Sequence, residues 1–145
     1  MLYHINEGAF DLSLDGRLDR TLNLLAMPDG TGLTYIISRD DLQTGETLAQ
    51  FVDRQLQQLK TQVSGFKELS RGEVALGDPK LGVKGIEIGT EFRQNGQELH
   101  QRQAIFQLPG GARALIFTAS SMELPDKDGL AVWNKALASF QLRSI

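Results

Sequence analysis

Four pairs of turn-forming residues punctuate this chain, and they constrain its fold more than any other feature. Each pair is of a kind that tolerates the positive φ angles of a two-residue hairpin turn. The four pairs are Asp15-Gly16, Asp29-Gly30, Asn95-Gly96 and Gly110-Gly111. Because turns this short join antiparallel strands, the segments beside them predict an antiparallel sheet.

The segments beside these turns have the alternation expected of half-buried strands. Over Lys84–Phe92, for example, Ile86 and Ile88 fall on one side and Glu87 falls on the other. The predicted strands are Thr21–Met27, Leu33–Arg39, Lys84–Phe92, Leu99–Leu108 and Arg113–Ser121, with a first strand expected around His4.

Two further segments, at about residues 46–63 and 127–140, have the spacing of amphipathic helices. Their apolar stripes are Leu48, Val52, Leu56, Leu59 and Val63 in the first and Leu130, Trp133, Leu137 and Phe140 in the second. Thr44 and Asp126 are the predicted N-caps, and Gly65 is predicted to close the first helix. Because each helix has one apolar side, each should lie on a sheet. The predicted class is α+β, an antiparallel sheet flanked by two main helices.

The organisation of the chain predicts one ordinary globular unit. Its 145 residues contain no linker or internal repeat, so we expect a single domain over residues 1–145. The absence of cysteine excludes disulfides and thiolate zinc sites and favours a reducing compartment. No secretory signal and no apolar run of about 18 residues is visible. We therefore expect a cytoplasmic protein that does not insert into a membrane.

Residues that could support chemistry are few. The net charge is −3 and no basic stripe exists, which disfavours nucleic-acid binding. His4 and His100 are interpreted as structural or surface residues, and no zinc-enzyme, nucleophile-elbow or phosphate-loop motif is present. Asp40-Asp41 is interpreted as a solvated turn before the first helix. The sequence therefore predicts no catalytic residue, no metal and no cofactor.

Uncharged polar residues stand out more than charged ones. Gln58 belongs to a group of glutamines beside the apolar stripe of the first helix, and Gln101 and Gln103 share a strand face with apolar neighbours. Such residues can hydrogen-bond a partner without the desolvation cost of a charge. Leu22 and Leu24, two apart on a predicted strand, should point the same way, with Leu25 and Met27 opposite. Burial on both sides and an exposed apolar patch for a partner are both compatible with this pattern.

Several short motifs, in order along nearly the whole chain, resemble a known family. They are Asn6-Glu7-Gly8, Asp19-Arg20-Thr21-Leu22-Asn23-Leu24, Ser38-Arg39-Asp40, Gly45-Glu46-Thr47-Leu48, Gln101-Arg102-Gln103 and Phe117-Thr118. The chain resembles DcrB-related proteins and, more narrowly, the Eag chaperones of bacterial type VI secretion systems. The resemblance implies a fold similar to that of Mog1 and PsbP.

The resemblance also implies a function. Eag chaperones form a homodimeric cradle that binds the hydrophobic N-terminal transmembrane segments of a toxic effector, next to its PAAR domain. The cradle keeps these segments soluble until the effector is loaded on the secretion spike. The residues that we predict for the client-binding groove are Leu22, Leu24, Ile36, Ser38, Gln58, Gln101 and Gln103.

Two alternatives of other classes remain at this point. One is a small-ligand or lipid-binding module on the same fold, which a closed pocket would favour. The other is a hydrolase using Asp40, Glu87 or Glu91, which convergent carboxylates or a bound metal would favour. The pattern of Glu87 and Glu91 is itself typical of a solvated strand face.

Overall fold

The computed structural model of the protein describes residues 2–142. The strands are β1 (Leu2–Ile5), β2 (Gly8–Asp11), β3 (Asn23–Leu25), β4 (Thr34–Asp41), β5 (Ser64–Ala75), β6 (Lys84–Gln94), β7 (Gln97–Gln107) and β8 (Arg113–Ser121). The helices are α1 (Leu48–Gln62) and α2 (Lys127–Ala138), and a short 3-10 helix spans Pro79–Leu81.

Six of the strands form one sheet in the order β3-β4-β8-β7-β6-β5, and every neighbouring pair is antiparallel. The turn between β6 and β7 shows how the sequence sets this topology. Asn95 has a φ of 53° and Gly96 a φ of 77°, and a type I′ turn needs both angles to be positive. Within residues 2–142, β1 and β2 pair only with each other and form a separate hairpin. The predicted α+β class is confirmed.

The start of α1 differs from the prediction, which placed the N-cap at Thr44. The N-cap is Thr47, whose hydroxyl accepts a hydrogen bond from the Gln50 backbone N–H at 3.2 Å. The Gln50 side-chain oxygen accepts one in return from the Thr47 backbone N–H at 3.0 Å. This reciprocal capping box satisfies two amides that a cap at Thr44 would leave unpaired. The predicted cap of α2, Asp126, is confirmed.

The end of α1 also differs, because the chain passes directly into a strand that the sequence patterns do not predict. β5 occupies the 12 residues Ser64–Ala75, and Gly65, the predicted helix stop, lies inside it with a φ of 63°. Two shifts of register interrupt its pairing with β6. Bulges, charged side chains and exposure are typical of an edge strand, and they hide the alternation that would reveal it.

The two helices cover opposite faces of the sheet. Phe51 of α1 is fully buried against Ile88 and Ile105. Trp133 of α2 packs in a second core that contains Ala104, the neighbour of Ile105 along β7. Because successive strand residues point to opposite sides, these contacts define an α1 face and an α2 face.

Candidate functional site

One row of side chains crosses the α1 face from the edge of the sheet to the helix. It consists of the successively paired residues Leu24, Ile36, Thr118, Gln103 and Ile88. Directly paired residues project to the same side of an antiparallel sheet. Ile88 is fully buried under α1, whereas Leu24 is 59% exposed. The helix therefore covers only one end of the row.

A second row, further from α1, is polar and uncharged from β4 to β6, where it consists of Thr34, Ser120, Gln101 and Thr90. Glu68 of the edge strand β5 continues this row beyond Thr90. The Gln101 Oε1 atom is buried and accepts no hydrogen bond from residues 2–142. In the first row, Gln103 Nε2 donates to Thr118 Oγ1 at 3.3 Å.

The uncovered parts of these two rows form one surface, which we call the open face. It consists of Leu24, Thr34, Ile36, Gln101, Gln103 and Ser120, all of them half-buried or exposed. Thr90 and Thr118 are buried between them, at 3% and 4% exposure. The open face thus combines apolar groups at the sheet edge with amides and hydroxyls at its centre, and none of its members is charged.

Four of the seven residues predicted for the groove lie on the open face: Leu24, Ile36, Gln101 and Gln103. Ser38 lies in the next row, paired with Ile116 at the margin of the core under α1. Leu22 is 58% exposed and precedes β3, which begins only at Asn23 and is shorter than the predicted Thr21–Met27. The pairing therefore fixes the side of the sheet for Leu24 but not for Leu22.

The seventh predicted residue, Gln58, is exposed on α1. It lies one turn after Gln55, so the two share one flank of the helix. The Gln55 side-chain amide donates to Asp40 Oδ2 in β4 at 3.1 Å, which shows that this flank is turned toward the β4 side of the sheet. Gln58 therefore lies on the flank of α1 that is turned toward β4, and its side chain is exposed.

The sequence did not predict the polar residues Thr34, Ser120, Thr90 and Thr118 for the groove, although Thr118 belongs to the family motif Phe117-Thr118. Their alternation along each strand was visible, but their meeting depends on the register between strands, which no single strand specifies. The pairing Gln101 with Ser120, and Ser120 with Thr34, is what joins them into one row.

The N-terminal part of the chain exposes many apolar side chains. Leu22, Leu24, Leu25 and Met27 are each between 56% and 59% exposed. The alternative of burial on both sides of this strand is therefore wrong, and the exposed apolar patch is what the structure contains. Other N-terminal residues are exposed as well, namely Leu2, Ile5, Phe10, Leu12 and Leu18.

The carboxylates proposed for a hydrolase do not converge. Asp40 is on the α1 face, paired across β8 with Ala114, whereas Glu87 and Glu91 are on the α2 face. Glu87 accepts hydrogen bonds from Arg102 and from Trp133 Nε1. A general acid and base must both reach one reacting atom, and this arrangement does not allow it.

The interpretation of Asp40-Asp41 as a solvated turn is wrong, because both residues end β4 and are half-buried. Asp40 forms an ion pair with Arg20 at 3.2 Å, and Asp41 forms one with Arg113 at 3.1 Å. The two side chains point to opposite faces of the strand, so each finds a separate cation.

One group of residues on the α2 face could hold a metal ion. Ligand atoms of Glu91, Glu98 and His100 lie within 4.8 Å of one another. However, Lys67 is paired opposite Glu91, and Arg93 opposite Glu98, on the same face. These cations balance the carboxylates across the strands and repel a metal, so the group has the character of a cross-strand charge ladder.

Two carboxylates near the N-terminal patch and α1 have perturbed acidity. Hydrogen bonds from the Thr21 and Tyr3 hydroxyls lower the pKa of Asp19. Hydrogen bonds from the Arg54 guanidinium lower the pKa of Glu46, in the loop before α1. Both groups are ionised at neutral pH and support local structure.

Comparison with known proteins gives the family. The sequence model of the DcrB family matches residues 7–139, so the chain belongs to this family. It is 23% identical over 139 residues to a Pseudomonas aeruginosa protein named Effector EagT6, covering 94% of this chain and 92% of that one. The family is therefore DcrB-related and of Eag type, as the sequence motifs predicted.

A solved structure gives the same fold. The Pseudomonas aeruginosa protein of unknown function PA94 superposes with a TM-score of 0.74 at 22% identity, covering 100% of this chain and 98% of that one. Among residues 2–142, no helix is both long enough and apolar enough to cross a bilayer.

Proposed function

We propose that this protein is a cytoplasmic chaperone or adaptor for a type VI secretion effector. In this proposal it binds the effector's N-terminal transmembrane segments, next to a PAAR domain, and shields them until the effector is loaded on the secretion spike. The observation that supports the proposal is the open face, an uncharged surface beside a helix that covers only one end of the row from Leu24 to Ile88. Membership of the DcrB family and similarity to EagT6 support it independently.

The chemistry of the open face suits an apolar helical client. Burying one apolar side chain is worth about 1.5–3 kcal/mol, so a few client residues against Leu24 and Ile36 give useful affinity. Gln101 and Gln103 can hydrogen-bond hydroxyl or backbone groups of the client. A charged residue at the same positions would have to be desolvated without an opposite charge, which is costly.

A homodimer is part of the proposal. Nine large apolar side chains between Leu2 and Met27 are at least 44% exposed, and a second copy of the chain could cover part of them. Two open faces brought together would form a cradle with two apolar margins. A molar mass from light scattering at micromolar concentration tests this, and a monomer would contradict it.

The remaining expectations belong to the same proposal. We infer a single domain over residues 1–145 with a Mog1- or PsbP-like arrangement, no catalytic residue, no bound metal or organic cofactor, no nucleic-acid partner and no direct membrane insertion. Stoichiometric metal in elemental analysis of the purified protein would contradict the expectation that no metal is bound.

The proposed groove is tested by the double substitution Leu22→Asp and Leu24→Asp. Co-purification with an effector that carries its transmembrane segments should fall by more than about a hundredfold, since each buried unpaired charge costs several kcal/mol. The melting temperature of the free protein should hardly change, because both leucines are already exposed to water.

A single substitution in the groove, Leu24→Asp, is compared with a matched control on the outer side of α2, Val132→Asp. The two side chains are similarly exposed, at 59% and 53%. The single groove variant should weaken client binding and the control should not. If the double variant unfolds the free protein, Leu22 and Leu24 are core residues. If it retains the client, the open face is not the binding surface.

A further inference from the structure

A cavity lies on the α2 face, on the opposite side of the sheet from the open face. It has a volume of about 320 Å³ and opens beside the C-terminal end of α2. Apolar side chains of the sheet and of α2 form most of its walls, among them Ile37, Leu115, Phe117, Ala136 and Leu137. The volume is in the range of small-molecule sites, about 300–1,000 Å³.

Two polar residues, Arg39 and Ser139, also line the cavity. The Arg39 Nη1 atom donates to three neutral acceptors, the Thr21 carbonyl at 3.0 Å, Asn23 Oδ1 at 2.6 Å and the Ile37 carbonyl at 3.3 Å. Within residues 2–142, no carboxylate oxygen lies within 4.0 Å of its guanidinium. The charge of Arg39 is therefore fixed in place but not neutralised.

Other arginines show that this is unusual for the chain. The half-buried guanidinium groups of Arg54, Arg102 and Arg113 each have a carboxylate partner in the described part of the molecule. A partly buried cation at an apolar cavity is stabilised most by an anion that forms charge-assisted, bidentate hydrogen bonds. The cavity walls require the rest of that anion to be apolar.

We propose that this cavity binds a medium-chain fatty carboxylate, with its chain between the sheet and α2 and its head group on Arg39. The shape of the site supports an aliphatic chain, and the unneutralised charge selects a carboxylate over an alcohol. This lipid site is separate from the proposed client groove and does not depend on it, because the two lie on opposite faces of the sheet.

The chain provides its own reporter for this site. Trp133 is the single tryptophan, and its ring stacks on Phe117 with centroids 4.9 Å apart. Since Phe117 lines the cavity, dodecanoate titrated below its critical micelle concentration should change the tryptophan fluorescence. Dodecanol, with the same chain but no charge, should bind at least about tenfold more weakly, since a hydrogen bond to a charged group is worth more than a neutral one.

Three variants separate charge from shape. Arg39→Gln should remove the preference for dodecanoate over dodecanol, and Arg39→Lys should keep most of it. Ala136→Phe should fill the cavity and abolish binding of both probes, with an unchanged circular dichroism spectrum. Arg93→Gln, at an exposed arginine elsewhere, is the control and should bind dodecanoate as the unmodified protein does.

Equal affinity of the unmodified protein for dodecanol and dodecanoate would overturn the proposal, as would unchanged dodecanoate binding by Arg39→Gln. Should Ala136→Phe fail to fold, the two Arg39 variants still test whether the charge of Arg39 causes the preference for dodecanoate. Client co-purification by Ala136→Phe is measured in parallel. If Ala136→Phe still co-purifies with the client but no longer binds dodecanoate, the lipid site and the chaperone function are independent of each other.

Discussion

The N-terminal segment and the part of the sheet under the helices contain similar apolar residues, but these residues are exposed in the first region and buried in the second. Phe51 of α1 is fully buried, whereas Phe10 of β2 is 61% exposed. Ile88 of the sheet is fully buried, whereas Leu24 at its edge is 59% exposed. Hydrophobicity alone does not decide between these outcomes.

The difference lies in what each segment has beside it. The central strands β7 and β8 contribute apolar side chains to both cores, one under α1 and the other under α2, and these side chains pack within the chain. The β1–β2 hairpin has no third strand within the described residues, and an isolated hairpin is marginally stable in water. The apolar groups of the N-terminal segment therefore contribute little to the isolated fold and are available to a partner.

The largest expected effect comes from the two phenylalanines. Phe51→Ala should lower the free energy of unfolding by about 3–5 kcal/mol, because it removes a fully buried ring and leaves a cavity. Phe10→Ala should change it by less than about 0.5 kcal/mol, as expected for an exposed position. Urea unfolding of both variants, at several protein concentrations, provides the measurement.

The concentration series is the control for association. If Phe10 packs in a homodimer, Phe10→Ala should become destabilising only at concentrations where the unmodified protein is dimeric. If both variants lose the same free energy of unfolding at the lowest protein concentration, the N-terminal segment is as important for the isolated fold as the core under α1.

Glycines sharpen the comparison within the large sheet. A Cβ added at Gly85 of β6 would collide with the Ile105 carbonyl and the Phe106 ring, whereas one at Gly72 of β5 would meet nothing within 4 Å. Gly85→Ala should cost about 1–3 kcal/mol, as overpacking does. Gly72→Ala should stabilise slightly, because alanine loses less backbone entropy on folding. Thermal unfolding that shows the same sign for both would contradict this assignment of centre and edge.

The sequence predicted the central sheet well because each strand there carries its own signals. The predicted Arg113–Ser121 has the same bounds as β8, and the turn at Asn95-Gly96 fixes the pairing of β6 with β7. Strong alternation and a specific turn are local, so one segment is enough to show them. The cap of α2 at Asp126 was predictable for the same reason.

The sequence predicted the edges and the candidate site less well because these depend on distant residues. The charged residues of β5 conceal its period, and its place in the sheet comes from pairing with β6. The open face joins Leu24 to Gln103 through two intervening strands. The family resemblance supplied candidate residues, but the register and the position of α1 decide which of them meet.

The capping box of α1 provides a smaller test, within the packed region. Thr47→Ala should cost about 1 kcal/mol, the usual loss on removing an N-cap hydroxyl. Thr44→Ala is the matched control and should stay within about 0.5 kcal/mol, as for an exposed site. Denaturant unfolding checks both, and a larger loss at Thr44 would restore the N-cap that the sequence predicted.

The smallest expected effect is in the N-terminal segment, where Tyr3 Oη donates to Asp19 Oδ2 at 2.9 Å. This hydrogen bond connects the hairpin to the segment before β3. Tyr3→Phe should speed amide exchange in β1 and β2 and leave exchange in β7 unchanged. Faster exchange throughout the sheet would mean that the hairpin is part of the main cooperative unit.

The same substitution has a pH signature. The Thr21 hydroxyl, followed by the Tyr3 hydroxyl, lowers the pKa of Asp19 below its ordinary value. A carboxyl whose folded pKa is depressed stabilises the fold above its unfolded pKa and loses that contribution as pH falls through the folded pKa. Tyr3→Phe removes one of the two hydroxyl donors, so the Asp19 pKa should rise toward the ordinary value while staying below it. The acid-sensitive contribution of Asp19 to the stability of the fold should shrink.

Titration of the Asp19 carboxyl carbon by NMR measures the shift directly, with Glu46 as the internal control because its pKa is lowered mainly by Arg54. An unchanged Asp19 titration would show that the hairpin does not hold this contact in solution, and the N-terminal segment would then be even less coupled to the sheet than the structure indicates.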